Sequence, residues 1–99
     1  MEAFVMCRNK PAVIVYGKNS CPQCDMTRKL FDRDSIGYTY INIEDDADAY
    51  EYVTKTLGYR QAPAVVALFP GGSETHWSGF QPARIAGYIR AAKGWRDDS

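Results

Sequence analysis

The stretch Ala12-Val13-Ile14-Val15-Tyr16-Gly17-Lys18-Asn19-Ser20-Cys21-Pro22-Gln23-Cys24 decides how this chain folds. Its first five residues form an apolar, mostly β-branched run of strand length, bounded by Pro11 and Gly17. Such a run predicts a strand buried on both faces, parallel to a neighbour and central in its sheet. After Lys18-Asn19-Ser20 the period changes. From Pro22 to about Asp34 the spacing is helical, with Met26, Thr27, Leu30 and Phe31 on one stripe. Pro22 suits the first helical position, where its missing N–H would have had no partner. The two cysteines therefore lie where a strand hands over to a helix.

Working outward, Gly37 lies beyond the helix end, and Tyr38–Ile43 alternates with aromatic and β-branched residues, predicting a second strand. Glu44-Asp45-Asp46-Ala47-Asp48 has the acidic character that a helix N-terminus favours. Tyr50, Val53 and Leu57 continue that second helix to a cap at Gly58, with Tyr50, Tyr52 and Tyr59 expected as packing and capping contacts. Ala64–Phe69 is a third strand introduced by Ala62-Pro63. Pro70-Gly71-Gly72-Ser73 is a turn, and Thr75–Ser78 is a short fourth strand ending at Gly79. Pro82 opens a third helix with Ile85, Ile89 and Ala92 on its core side, ended by Gly94. The order is β-α-β-α-β-β-α. The first two strands, joined through a helix, should be parallel and the last two, joined by a turn, antiparallel. The fold class is α/β: one four-stranded mixed sheet flanked by three helices.

Composition agrees with one small domain and limits what it can bind. Ninety-nine residues give a thin core with no room for two domains. Residues 11–93 are expected to form the domain, with 1–10 an N-terminal extension and 94–99 a C-terminal tail. Twelve Lys and Arg balance twelve Asp and Glu, so the basic excess of a nucleic-acid binder is missing. No apolar run approaches the ~18 residues of a membrane span, and Ala3–Cys7 is too short for a secretory signal. A soluble, cytoplasmic monomer that engages neither membrane nor nucleic acid is expected. Three cysteines without a signal segment argue against a secreted disulfide scaffold.

Position decides what Cys21-Pro22-Gln23-Cys24 can do. With Pro22 at N1, Cys21 is the N-cap and Cys24 is N3. The Cys21 sulfur can then accept from the free N–H groups of Gln23 and Cys24, and the helix dipole further favours its thiolate. Free cysteine titrates near ~8.5 and thiols at such sites at about 3.5–7.5. Cys24, one turn inside, should be more buried and keep its proton until needed. Two unequal thiols within bonding reach are what thiol–disulfide exchange requires. The competing possibilities are a zinc half-site and inert core cysteines. Zinc would need four ligands, and only Cys7 and His76 remain, neither in paired spacing. Lys18 is expected to be solvated, although it could add a cation near the thiol.

Two further segments are candidates for binding. If the Ala62-Pro63 bond is cis, the turn could present the backbone of Ala62 to an extended substrate beside the dithiol; an ordinary trans proline at a strand start is the commoner state. In Trp77-Ser78-Gly79-Phe80-Gln81-Pro82 two large aromatics flank a glycine turn on the side where the redox loop emerges. They form either an exposed apolar contact patch or the completion of a thin core, with Phe80 the more exposed of the two. Cys7 is read as a bystander thiol, His76 as a surface or pairing residue, Glu44–Asp48 as a helix start and not a metal site, and Gly71-Gly72 as a turn.

With these motifs in place, the chain resembles the glutaredoxin-like branch of the thioredoxin fold, and within it the NrdH-redoxins, from about Ala12 to Ala92. Cys21-Pro22-Gln23-Cys24 alone is shared widely. Leu57-Gly58-Tyr59-Arg60-Gln61-Ala62-Pro63 and His76-Trp77-Ser78-Gly79-Phe80-Gln81-Pro82 are more specific. The resemblance implies Cys21 as nucleophile, Cys24 as resolving thiol and Pro63 as a cis-proline. Pro22, Gln23, Ala62, Trp77, Ser78, Gly79 and Phe80 are the expected substrate- and partner-binding positions, with no metal. It also implies no bound cofactor beyond a redox-active Cys21–Cys24 disulfide. Electrons would come from NADPH through thioredoxin reductase and pass to the large subunit of class Ib ribonucleotide reductase. Glutathione-using relatives carry a Gly-Gly-x-Asp-Asp type segment after the last strand; here Gly79-Phe80-Gln81-Pro82-Ala83 holds no acid. The alternatives are a glutathione-dependent glutaredoxin and a non-enzymatic zinc- or protein-binding module. Four features depart from the family. Ala83 stands where it often has Asp or Glu, Pro22 where it often has Met or Val, the turn Phe69–Glu74 is longer, and the first ten residues have no clear family counterpart.

Overall fold

A computed structural model describes residues 10–95. Cys7, nearly all of the expected extension and residues 96–99 of the tail lie outside the described residues. The elements are β1 (Ala12–Gly17), α1 (Pro22–Arg33), β2 (Thr39–Asn42), α2 (Ala47–Glu51), β3 (Ala64–Leu68), β4 (Glu74–Ser78) and α3 (Pro82–Lys93). A π-helical turn, Tyr52–Thr56, continues α2. The sheet order is β2-β1-β3-β4. β1 runs parallel to β2 and antiparallel to β3, and β3 runs antiparallel to β4. This is the thioredoxin fold. No helix among the described residues is long and apolar enough to cross a membrane.

The core lies on one face of the sheet. Val13 and Val15 of β1, Val65 and Ala67 of β3 and Trp77 of β4 meet Phe31 of α1 and Ile85, Tyr88 and Ile89 of α3. The Phe31 and Tyr88 rings meet edge to face at 6.0 Å. The opposite face is thinly covered, chiefly by α2 and its π turn, where Tyr52 packs on Tyr16 at 5.6 Å. That asymmetry corrects one expectation. β1 alternates between buried Val13, Val15, Gly17 and half-buried Ala12, Ile14, Tyr16. The strand closed on both faces is β3, buried from Ala64 through Ala67.

Two helix faces also differ from expectation. Along α1 the inner stripe is Cys24, Thr27 and Phe31, and Met26 is 42% exposed. Around α2, Ala49 and Val53 share the inner side four residues apart, which turns Tyr50 outward at 55% exposure. The widened turn is closed by Leu57 N–H donating to the Tyr52 carbonyl at 3.0 Å, with Gly58 at φ +79. Asp46 begins α2 as an N-cap, accepting from Ala49 N–H at 3.0 Å. Gly71 and Gly72, both at positive φ, make the turn before β4.

Candidate active site

Register brings three separated segments to one end of the sheet. Tyr16, near the end of β1, pairs with Ala64, and Ala64 pairs with Ser78. The loops that leave β1, enter β3 and leave β4 therefore emerge together. Ser20, in the left-handed region at φ +53, turns the first of these loops into α1, and nothing in its residue type announced that.

Cys21 is the N-cap of α1 and Pro22 opens its first turn. The Cys24 N–H donates to Cys21 Sγ at 3.1 Å; no such bond from Gln23 accompanies it. The two sulfurs are joined in a disulfide with Cα atoms 5.2 Å apart. Both cysteines are buried, Cys24 at 1% exposure and Cys21 at 7%, so the cap residue is the less enclosed of the two. When the pair is reduced, the same amide and the helix dipole favour a thiolate on Cys21. Among the described residues no cluster of three or more His, Cys, Asp or Glu could hold a metal.

The Ala62–Pro63 bond is cis. The Pro63 carbonyl accepts from Gly79 N–H at 2.8 Å, tying the proline to the turn after β4. The backbone of Ala62 makes no hydrogen bond among the described residues. Its N–H and C=O are therefore open to a partner from outside these residues. A second tie joins that turn to the dithiol loop, because Phe80 N–H donates to Gln23 Oε1 at 2.8 Å. Gly79 sits between them at φ +80; a Cβ there would stand 3.1 Å from Gln61 Nε2.

Trp77 and Phe80 have different places. Trp77 faces Val65 across the β3–β4 pair, is 3% exposed and belongs to the core, so it adds no exposed apolar surface. Phe80 is half-buried and packs against that core at its edge. The expected aromatic patch is therefore Phe80 alone. Ala83 leaves no carboxylate to close the turn. Gln81 Nε2 closes it instead by donating to the Ser78 carbonyl at 2.8 Å, and Arg84 donates to the His76 carbonyl at 3.0 Å. Arg84 also lies over the Trp77 ring, 5.3 Å from its centroid. His76 pairs through Nδ1 with the Tyr59 hydroxyl at 2.7 Å and takes no part in the dithiol. Lys18 is exposed and shares a depression beside Cys21 with Arg60 and Gln61. The only sequence signal for Arg60 and Gln61 as site residues is their place directly before Ala62-Pro63.

The glutaredoxin family's sequence profile matches residues 13–67, more than half of the chain. The chain belongs to the glutaredoxin family. Within that family it is of the NrdH type. The glutaredoxin-like protein NrdH of Lactococcus lactis is 34% identical over 74 residues, covering 75% of this chain and 94% of that relative. Its Escherichia coli counterpart is 30% identical over 73 residues, covering 74% and 83%. The solved structure of Escherichia coli NrdH-redoxin superposes with a TM-score of 0.65 at 28% identity, over 76% of this chain and 91% of that one.

This glutaredoxin-family protein is thus a thiol–disulfide oxidoreductase. In such exchange one thiolate of a reduced pair attacks one sulfur of a target disulfide and expels the other as a thiolate, leaving a mixed disulfide. The second thiol of the pair then loses its proton and attacks the sulfur of its neighbour, expelling the second target thiolate. Two electrons pass to the target, and the Cys21–Cys24 bond seen here is the product.

Proposed function

We propose that the chain carries electrons from NADPH, through thioredoxin reductase, to the large subunit of class Ib ribonucleotide reductase. It does so in the cytoplasm as a monomer, without bound cofactor or metal. The resemblance described above supplies the partners, and the relative solved from Escherichia coli has a thioredoxin-like activity profile. One observation carries the choice of reductant: the first turn of α3, beside the dithiol, contains no acidic residue. Glutathione presents two carboxylates and an ammonium. Lys18 and Arg60 could meet a carboxylate, but the ammonium finds no acid in Gly79-Phe80-Gln81-Pro82-Ala83. A charge-assisted hydrogen bond forgone there is worth about 1.5–3 kcal/mol, or roughly ten- to a hundredfold in affinity. Half-buried Phe80 instead offers an apolar contact that a protein partner can cover.

The test is a coupled assay on the oxidised chain. NADPH with thioredoxin reductase should support turnover at least about tenfold faster than NADPH with glutathione and glutathione reductase, the factor expected from one missing charge-assisted bond. Equal turnover by the two routes would overturn the electron source. The reduced chain should then sustain class Ib ribonucleotide reductase. Failure to do so while reducing insulin disulfides would overturn the client.

A further inference from the structure

Across the sheet from Phe80, the surface beside the disulfide continues into a long cleft. The depression next to Cys21, about 320 Å³, is lined in part by Lys18, Arg60, Gln61 and Ala62. The same four residues line a larger cleft of about 610 Å³, whose wall also includes Tyr16, Val53, Lys55 and Tyr59. No aspartate or glutamate lines either space. Lys18, Lys55 and Arg60 form no ion pair among the described residues. Asp46, whose charge reaches Tyr16, is held as the N-cap of α2. In a chain whose formal charges cancel, three unpaired cations along one channel are a matter of placement and not of composition.

We infer that this cleft binds an acidic segment of the client polypeptide, within a few residues of the disulfide being reduced. The inference rests on the client being a protein disulfide, as proposed above. Two features select a polypeptide among anions. The unpaired backbone of Ala62 lines both spaces together with Lys18 and Arg60, where a client strand can add to it. An extended strand advances about 3.3 Å per residue, so carboxylates a few positions from the client cysteine fall along the channel. The phenol and valine walls accept the side-chain stems, and the cations hold the carboxylates.

Three synthetic peptides of equal length test this, each with one internal disulfide flanked by three Glu, three Gln or three Lys. Chemically reduced, desalted protein is mixed with each, and the rate of peptide reduction is followed. The Glu peptide should react about tenfold faster than the Gln peptide at low salt, with the Lys peptide slowest, and the advantage should shrink as screening increases. In Lys55→Gln the Glu-to-Gln rate ratio should narrow by roughly two- to fivefold, the value of one exposed charge pair. A general folding defect would slow all three peptides and leave that ratio alone. Equal rates, a ratio indifferent to salt, or one unchanged in Lys55→Gln overturns the inference. So does stronger competition from a single-stranded oligothymidylate than from the reduced Glu peptide. None of these outcomes involves thioredoxin reductase. A failed reductase assay with the Glu preference intact therefore overturns the electron route alone.

Discussion

Cys21 caps the helix that Cys24 sits inside, which gives the two sulfurs different surroundings. After reduction, alkylation at neutral pH should label Cys21 first, as peptide mass mapping can show. Cys24→Ser should trap a mixed disulfide through Cys21, whereas Cys21→Ser should have no activity. Equal labelling of both thiols would contradict the assignment. The partner side of the site depends on Gln23, whose Oε1 fixes the Phe80 amide. Gln23→Ala removes a hydrogen bond of about 0.5–1.5 kcal/mol, so KM for thioredoxin reductase should rise roughly two- to tenfold, with a smaller change in kcat. The cap was legible in the sequence because Pro22 fixes the start of α1. The Gln23–Phe80 contact was not. It joins positions 57 apart, and only the strand register brings them together.

Along α1, the buried stripe contains one hydroxyl without a partner among the described residues, Thr27 Oγ1. Valine has nearly the same shape and leaves no polar atom to satisfy. Thr27→Val should therefore stabilise the fold by about 1 kcal/mol, read as a higher denaturant midpoint. A lower midpoint would mean the hydroxyl is satisfied. At the join of β1 and the π turn, burial pushes the Tyr16 and Tyr52 hydroxyls above their ordinary range. Tyr52 and Asp46 add to the shift at Tyr16, and Glu74 adds at Tyr52. Their contribution to stability is complete below about pH 10 and is lost as pH rises through the raised native values. Denaturant midpoints should fall across that alkaline range, and less steeply in Tyr16→Phe. Sequence periodicity located every one of these elements but misjudged which faces they bury. The pattern points to β1 as the doubly covered strand and to Tyr50 as an inner residue, whereas helix placement covers β3 and turns Tyr50 outward.

At the level of the whole molecule, the parallel β1–β2 and antiparallel β3–β4 pairs followed from connection length alone. The antiparallel β1–β3 pairing joins strands separated by two helices and had no local signal. That pairing also gives the protein two poles. Ala64 meets Tyr16 at the disulfide end, and Leu68 meets Ala12 at the other. The turn Phe69–Ser73 therefore sits a full strand length, roughly 15–17 Å, from the chemistry. Gly71 and Gly72 at its tip are exposed. This is the place to take hold of the molecule. A surface anchor spliced between Gly71 and Gly72 would leave the disulfide facing solution, so an immobilised monolayer should keep the reducing capacity of the free protein, per molecule, towards a dissolved disulfide.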